Sequence, residues 1–245
     1  MKRAIVMGAS SGIGFEVAQV LLERGWQVGL AARRVELFAP LQGKYGERVS
    51  TAMIDVTAEN ASERLLKLVD EMGGVDLYFH ISGTGWYNPE LNIDREMTTM
   101  ATNACGFTRM VDTVFRYMSD NGGGQIAAIT SIAGTKGLGP APAYSATKAM
   151  QATYLQALEQ LSYSRKLNIG FTEIRPGFVK TDLIKGKPYP MLMDKEYVAR
   201  KAVDAALKGK HVAIIDWRYR ILAAFWRRIP RCVWRRMNLV KEKYK

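Results

Sequence analysis

The sequence predicts a doubly wound α/β fold in a single domain, with one parallel sheet covered on both faces by helices. Three observations carry this expectation. Seven apolar runs of strand length, at residues 4–7, 27–32, 49–54, 75–81, 125–130, 168–174 and 211–214, alternate with longer segments of helical period. The runs are apolar almost without interruption, as strands buried on both faces must be. A glycine-rich turn follows the first run directly, where a strand–turn–helix phosphate site would need it.

Taken in order, the first run ends in Met7-Gly8-Ala9-Ser10-Ser11-Gly12-Ile13-Gly14, and an amphipathic helix begins near Gly12. Glycines let the backbone turn tightly and approach a pyrophosphate, and the helix N-terminus supplies unpaired N–H donors. Gly8, Ser10, Ser11, Gly12, Ile13 and Gly14 are therefore expected to cradle a dinucleotide. The second run closes with Ala31-Ala32-Arg33-Arg34. At that place an acid would bond a ribose 2′-hydroxyl and an arginine would pair a 2′-phosphate. Arg33 and Arg34 without a carboxylate select NADP(H) over NAD(H). The third run leads to Asp55 and Val56, and the fourth to His80-Ile81-Ser82-Gly83. A long helical segment over about residues 93–118 carries Asn103, and the fifth run leads to Ser131. After a Gly/Pro-rich stretch, a second long helix over about residues 143–165 sets Tyr144 and Lys148 one turn apart on one face, so that an ammonium lies near a phenol. The sixth run gives way to Pro176, Gly177 and Thr181. Both long helices could also form the subunit interface of a homodimer or homotetramer.

Composition bounds the rest. Two cysteines, Cys105 and Cys232, stand far apart without ligand spacing, which fits a reducing compartment and no metal site. No export signal and no run of 18 uninterrupted apolar residues is visible, so a cytoplasmic protein is expected. Of the net charge of +12, residues 211–245 hold +8, from ten Lys/Arg against two acids. A nearly balanced body with a basic tail argues for a local contact surface and against a nucleic-acid binder. Residues 216–245 form that tail, distinct from a catalytic body over 1–215. Ile221, Leu222, Phe225, Trp226 and Ile229 recur at helical spacing with arginines elsewhere around the helix, and Pro230 separates a second basic segment. Such a stripe either packs on protein, the favoured expectation, or lies peripherally on an anionic membrane.

With these motifs in place, residues 3–215 resemble the short-chain dehydrogenase/reductase family, whose fold is Rossmann-type. The resemblance rests on Gly8/Gly12/Gly14, "IDV" with Asp55, "TNACG" with Asn103, "ITSIAG" with Ser131, Tyr144-x-x-x-Lys148, and "IRPGFVKTDL" with Pro176, Gly177 and Thr181. It implies that Tyr144 is the general acid and Ser131 orients the substrate oxygen. Lys148 then lowers the tyrosine pKa and holds the nicotinamide ribose, while Asn103 holds a water linking Lys148 to solvent. Asp55, Val56, Gly83, Pro176, Gly177 and Thr181 become further cofactor contacts. Where the family usually has Asn-Asn-Ala-Gly, this chain has His80-Ile81-Ser82-Gly83. His80 is expected to be a sheet-end histidine bonded to backbone. Trp86, Tyr87, Leu138, Tyr189, Met191, Leu192 and Met193 suggest a lid over a largely apolar small-molecule substrate. The implied activity is an NADPH-dependent carbonyl reductase, reversible as an alcohol dehydrogenase. A ketoacyl-type reductase on a carrier-bound substrate, or a cofactor-binding regulator without turnover, is the alternative.

Overall fold

A computed structural model of the chain describes residues 1–184 and 189–239. The strands are β1 (Arg3–Met7), β2 (Gln27–Ala32), β3 (Val49–Met53), β4 (Leu77–His80), β5 (Gly124–Ile129), β6 (Ile169–Arg175) and β7 (Val212–Ile214). They pair in parallel in the order β3-β2-β1-β4-β5-β6-β7. Each begins or ends within two or three residues of an apolar run in the sequence. The chain builds outward from β1 to β3, then returns to add β4 on the other side of β1. That reversal opens a crevice at the carboxyl ends of β1 and β4.

Helices α1 (Gly12–Glu23), α2 (Ala39–Tyr45), α3 (Ala61–Glu71), α4 (Ile93–Met100), α5 (Phe107–Asp120), α6 (Pro142–Ser164), α7 (Lys195–Leu207), α8 (Trp217–Arg228) and α9 (Arg231–Trp234) cover the sheet. The strand period of two divides the core. Ala4 and Val6 face a layer with Leu21, Phe79 and Val198, while Ile5 and Met7 face one with Leu65, Tyr78 and Phe107. Between α4 and α5 the helix widens into a π turn over Ala101–Gly106. Such widenings recur at functional sites because they re-aim side chains within a continuous helix.

The tail is anchored to the body by α8. Tyr219 is fully buried, and its hydroxyl accepts from Phe178 N at 3.0 Å and lies 3.0 Å from the Met191 carbonyl oxygen. The ring covers Gly177 so closely that a Cβ there would lie 2.1 Å from Tyr219 Cζ. Farther on, Trp234 Nε1 donates to Gly137 O at 2.7 Å, and Lys136 Nζ donates to Ile229 O at 2.9 Å. The expected stripe is thereby corrected. Leu222 and Trp226 do pack on the core, but Ile221 and Phe225 are 61% and 63% exposed. At 3.6 residues per turn the buried face runs through Tyr219, Ala223 and Trp226, and Ile221 and Phe225 turn away from it. Residues 240–245 of the tail lie outside the described residues. Among the described residues, no helix is long and apolar enough to cross a membrane.

Candidate active site

Gly8, the first residue past β1, has φ +96°, and a Cβ there would sit 2.6 Å from Ser82 N. Both facts exclude a side chain and keep the backbone free to meet a ligand at the crevice. Ser11 is the extended residue preceding α1, and Thr181 from the loop after β6 comes beside Gly12, whose Cβ position lies 3.2 Å from Thr181 Cγ2. Exposed Arg34 reaches back over this turn, with Nη2 3.4 Å from Ser10 Oγ and 3.3 Å from Ser11 Oγ. Arg33 is exposed beside it. Two guanidiniums and two hydroxyls thus surround the place where a ribose phosphate would lie, so the residues present fit NADP(H).

Asp55 follows β3 and turns its carboxylate into its own loop, accepting from Thr57 N at 2.9 Å and Thr57 Oγ1 at 2.7 Å. Burial pushes its pKa up, but the two Thr57 donors and the Arg33 charge outweigh that and hold it below the ordinary value. Val56 is buried against Gly106 of the π turn.

The catalytic candidates converge from three elements. Ser131 follows β5 and caps the short turn Ile132–Thr135, with Oγ accepting from Ala133 N at 3.1 Å. Pro142 starts α6 in its first turn, where a missing N–H costs nothing, and Tyr144 and Lys148 project from it toward the end of β5. Tyr144 is half-buried, with its hydroxyl toward the Ser131 side chain. Lys148 is buried, and its Nζ donates to Ile129 O at 3.0 Å and to Gln151 Oε1 at 2.9 Å. It lies 5.8 Å from the centre of the Tyr144 ring. Asn103, fully buried in the π turn, clamps the loop after β4. Its Oδ1 accepts from Thr84 N at 2.8 Å, and its Nδ2 donates to Thr84 O at 2.7 Å. Gly83 lies between Asn103 and Lys148, its Cβ position 3.3 Å from Asn103 Oδ1 and 3.6 Å from Lys148 Nζ. Pro176 accepts from Ile132 N at 3.2 Å and so ties the loop after β6 to the Ser131 turn.

Two expectations change. Burial raises the Tyr144 pKa above its ordinary value, with the Ser131 hydrogen bond opposing it, whereas a lowered value was expected from Lys148. Lys148 donates instead to Ile129 O and Gln151 Oε1, and its own pKa is lowered to about 8 by burial, with Glu173 opposing. Gln151 adds a link that the sequence did not suggest, its Oε1 accepting from Lys148 Nζ at 2.9 Å and its Nε2 donating to Asn103 O at 2.8 Å. Secondly, His80 gains a side-chain partner beside the expected backbone one, with Nδ1 3.0 Å from the Tyr78 hydroxyl. Burial, helped by the Lys148 charge and opposed by a Ser82 main-chain bond, lowers its pKa to about 3, so it is neutral.

Among the residues expected to form a lid, Met193 is buried core and exchanges main-chain bonds with Phe178 and Lys180, while Tyr189 stacks on Phe178 at 4.3 Å. Trp86 and Leu192 are exposed, and residues 185–188 lie outside the described residues. Two site residues escaped sequence reasoning. One is Gln151, one helical turn past Lys148. The other is Gly85, where a Cβ would fall 2.3 Å from Tyr144 Cδ2, so only glycine admits the ring. The spacing of three from Lys148 could have flagged the glutamine; nothing local marks the glycine. Among the described residues, no group of three or more His, Cys, Asp or Glu could hold a metal ion.

Comparison with known proteins agrees with this geometry. The family model for short chain dehydrogenase matches residues 2–189. An uncharacterized oxidoreductase of Myxococcus xanthus is 33% identical over 78% of this chain and 77% of its own length. The 3-oxoacyl-[acyl-carrier-protein] reductase FabG of Vibrio cholerae is 31% identical over 75% of this chain and 76% of its own length. Glycine betaine reductase ATRR of Emericella nidulans is 32% identical, but the chain spans only 18% of that protein. In architecture, a short chain dehydrogenase from Burkholderia cenocepacia in complex with NADP superimposes with a TM-score of 0.83 at 21% identity, covering 98% of this chain and 100% of the other. The glycine turn, the Ser131/Tyr144/Lys148 convergence and the family match over most of the chain make it a member of the short-chain dehydrogenase/reductase family of oxidoreductases.

Proposed function

We propose that the chain is an NADPH-dependent carbonyl reductase acting on a largely apolar ketone, and in reverse an alcohol dehydrogenase. The convergence of Ser131, Tyr144 and Lys148 at the crevice carries this reading. NADP(H) fits the glycine turn, with Arg33, Arg34, Ser10 and Ser11 at its phosphate end, and when bound supplies the hydride. The Burkholderia dehydrogenase of the same architecture, solved in complex with NADP, supports the same cofactor.

The chain's own residues handle the proton. Ser131 holds the substrate carbonyl oxygen within reach of Tyr144, and its hydroxyl can donate to that oxygen while its lone pairs remain on Ala133 N. Tyr144 keeps its proton at neutral pH because burial raises its pKa, and gives that proton to the oxygen as it becomes an alkoxide. Lys148 then faces a phenolate, and its charge stabilises that anion until a proton returns. Gly85 lets the Tyr144 ring lie flat against the loop, and Asn103 fixes that loop through both of its side-chain atoms on Thr84.

A ketoacyl-type reductase on a carrier-bound substrate is the second reading. The similarity to FabG favours it, as do Arg231 and Arg235 on a cavity of about 570 Å³ between residues 135–140 and the tail, where they could meet a carrier phosphate. NADPH oxidation is measured against apolar ketones and acyl-carrier-bound β-ketoesters, with Tyr144→Phe as control. The proposal expects turnover of the ketones and a loss of about 10²–10⁴-fold in the variant with NADPH affinity kept. Equal turnover by Tyr144→Phe would sink the assignment.

A further inference from the structure

Helix α8 has two apolar faces, and the body covers only one. Tyr219, Leu222, Ala223 and Trp226 lie against the core, whereas Trp217 is 67% exposed and stands in line with exposed Ile221 and Phe225 at successive intervals of four. Arg220, Arg227 and Arg228 are exposed around that line. Arg231 on α9 and Arg235 and Arg236 just past it continue the charge, beside the exposed Val233 and Met237. Residues 217–239 hold seven arginines and no Asp or Glu.

An aromatic and aliphatic line bordered by guanidiniums complements a surface that is anionic outside and apolar beneath, which describes the headgroup region of a bilayer. A second copy of this chain is a poor match, since a two-fold contact would set arginines against arginines. Nucleic acid would meet the charges but leave Ile221 and Phe225 without an apolar partner. We propose that α8 is a membrane-surface anchor, seated on its own body through the Tyr219 face and on an anionic bilayer through the Trp217/Ile221/Phe225 face.

The anchor is tied to the cleft. Tyr219 holds Phe178 and Met191 on one side of it, and Trp234 holds Gly137 on the Ser131 side. A chain held in this way takes its ketone from the lipid phase, a consequence that rests on the reductase reading.

The test compares the full chain with the double variant Ile221→Ser/Phe225→Ser, which alters no charge and no packed side chain. Vesicles of phosphatidylcholine and phosphatidylglycerol in equal parts, and of phosphatidylcholine alone, are sedimented with each. The full chain should bind the anionic vesicles and leave them as salt rises, and the variant should bind about tenfold or more weakly. Both should reduce a water-soluble ketone alike, with only the variant slowed on a long-chain ketone carried in the vesicles. Equal vesicle binding by the two overturns the anchor, because charge alone would then suffice. So does absence of vesicle binding in a chain retained on DNA, or self-associated through the same two residues. Vesicle binding without turnover of either ketone upholds the anchor and removes the reductase reading instead.

Discussion

Replacing Gln151 by Leu isolates the side chain that joins the two halves of the catalytic site. Gln151 has no solvent exposure and makes two side-chain bonds, accepting from Lys148 Nζ at 2.9 Å and donating to Asn103 O at 2.8 Å. Leucine fills a similar volume but supports neither bond. Losing a hydrogen bond to the buried ammonium costs about 1.5–3 kcal/mol, and leaving a buried carbonyl short of its donor costs about 1–3 kcal/mol. The apolar side chain recovers roughly 1–2 kcal/mol through its own burial. The net loss is about 0.5–5 kcal/mol, centred near 3, which for a chain of this size lowers Tm by roughly 6–12 °C at the centre of that range. The same change removes an acceptor that favours the charged lysine, so the Lys148 pKa should fall further below about 8. Urea unfolding measures the first effect, and an NMR titration of the lysine side chains measures the second. Gln151→Glu retains an acceptor for Lys148 and should restore the lysine pKa while removing the side-chain donor to Asn103 O. A Gln151→Leu protein with stability within about 0.5 kcal/mol of the parent and an unmoved lysine titration would refute the bridge.

Arg33→Asp should weaken NADPH far more than NADH, since it replaces attraction for the 2′-phosphate with repulsion; binding titrations showing an unchanged preference would move selectivity elsewhere. Stability should rise with pH from about 8 to about 10, because Lys148 drops from 10.5 to about 8 on folding and the unfolded chain therefore binds more protons in that window. Above about 10 the raised pKa values of Tyr78 and Tyr144 act in the opposite sense, since the unfolded tyrosines ionise first. Unfolding curves of Lys148→Met should lack the rise, and a rise that persists there would assign it to another group. Tyr219→Phe should cost about 1–3 kcal/mol by leaving Phe178 N without its acceptor, and an unchanged melting temperature would show that the hydroxyl does not fasten α8.

What the sequence determined by itself was the local part of this protein. Each strand is a short apolar run, each long helix a periodic one, and both patterns act over neighbouring residues, so β1 to β7 were legible to within two or three positions. The glycine turn and the Tyr144/Lys148 pair were equally local, one fixed by backbone freedom and the other by the pitch of α6. Tertiary structure decided whatever depends on which elements meet. Gln151 shows itself only when α6 lies against the π turn that carries Asn103, and Gly85 only when the loop after β4 meets the Tyr144 ring. The tyrosine pKa followed burial, a property of the assembled cleft, where sequence spacing had weighed only the nearby charge. In the tail, periodicity located an amphipathic helix but left open which apolar residues were covered. Gly177 made room for Tyr219, that contact set the rotation of α8, and Ile221 and Phe225 were turned outward as its consequence.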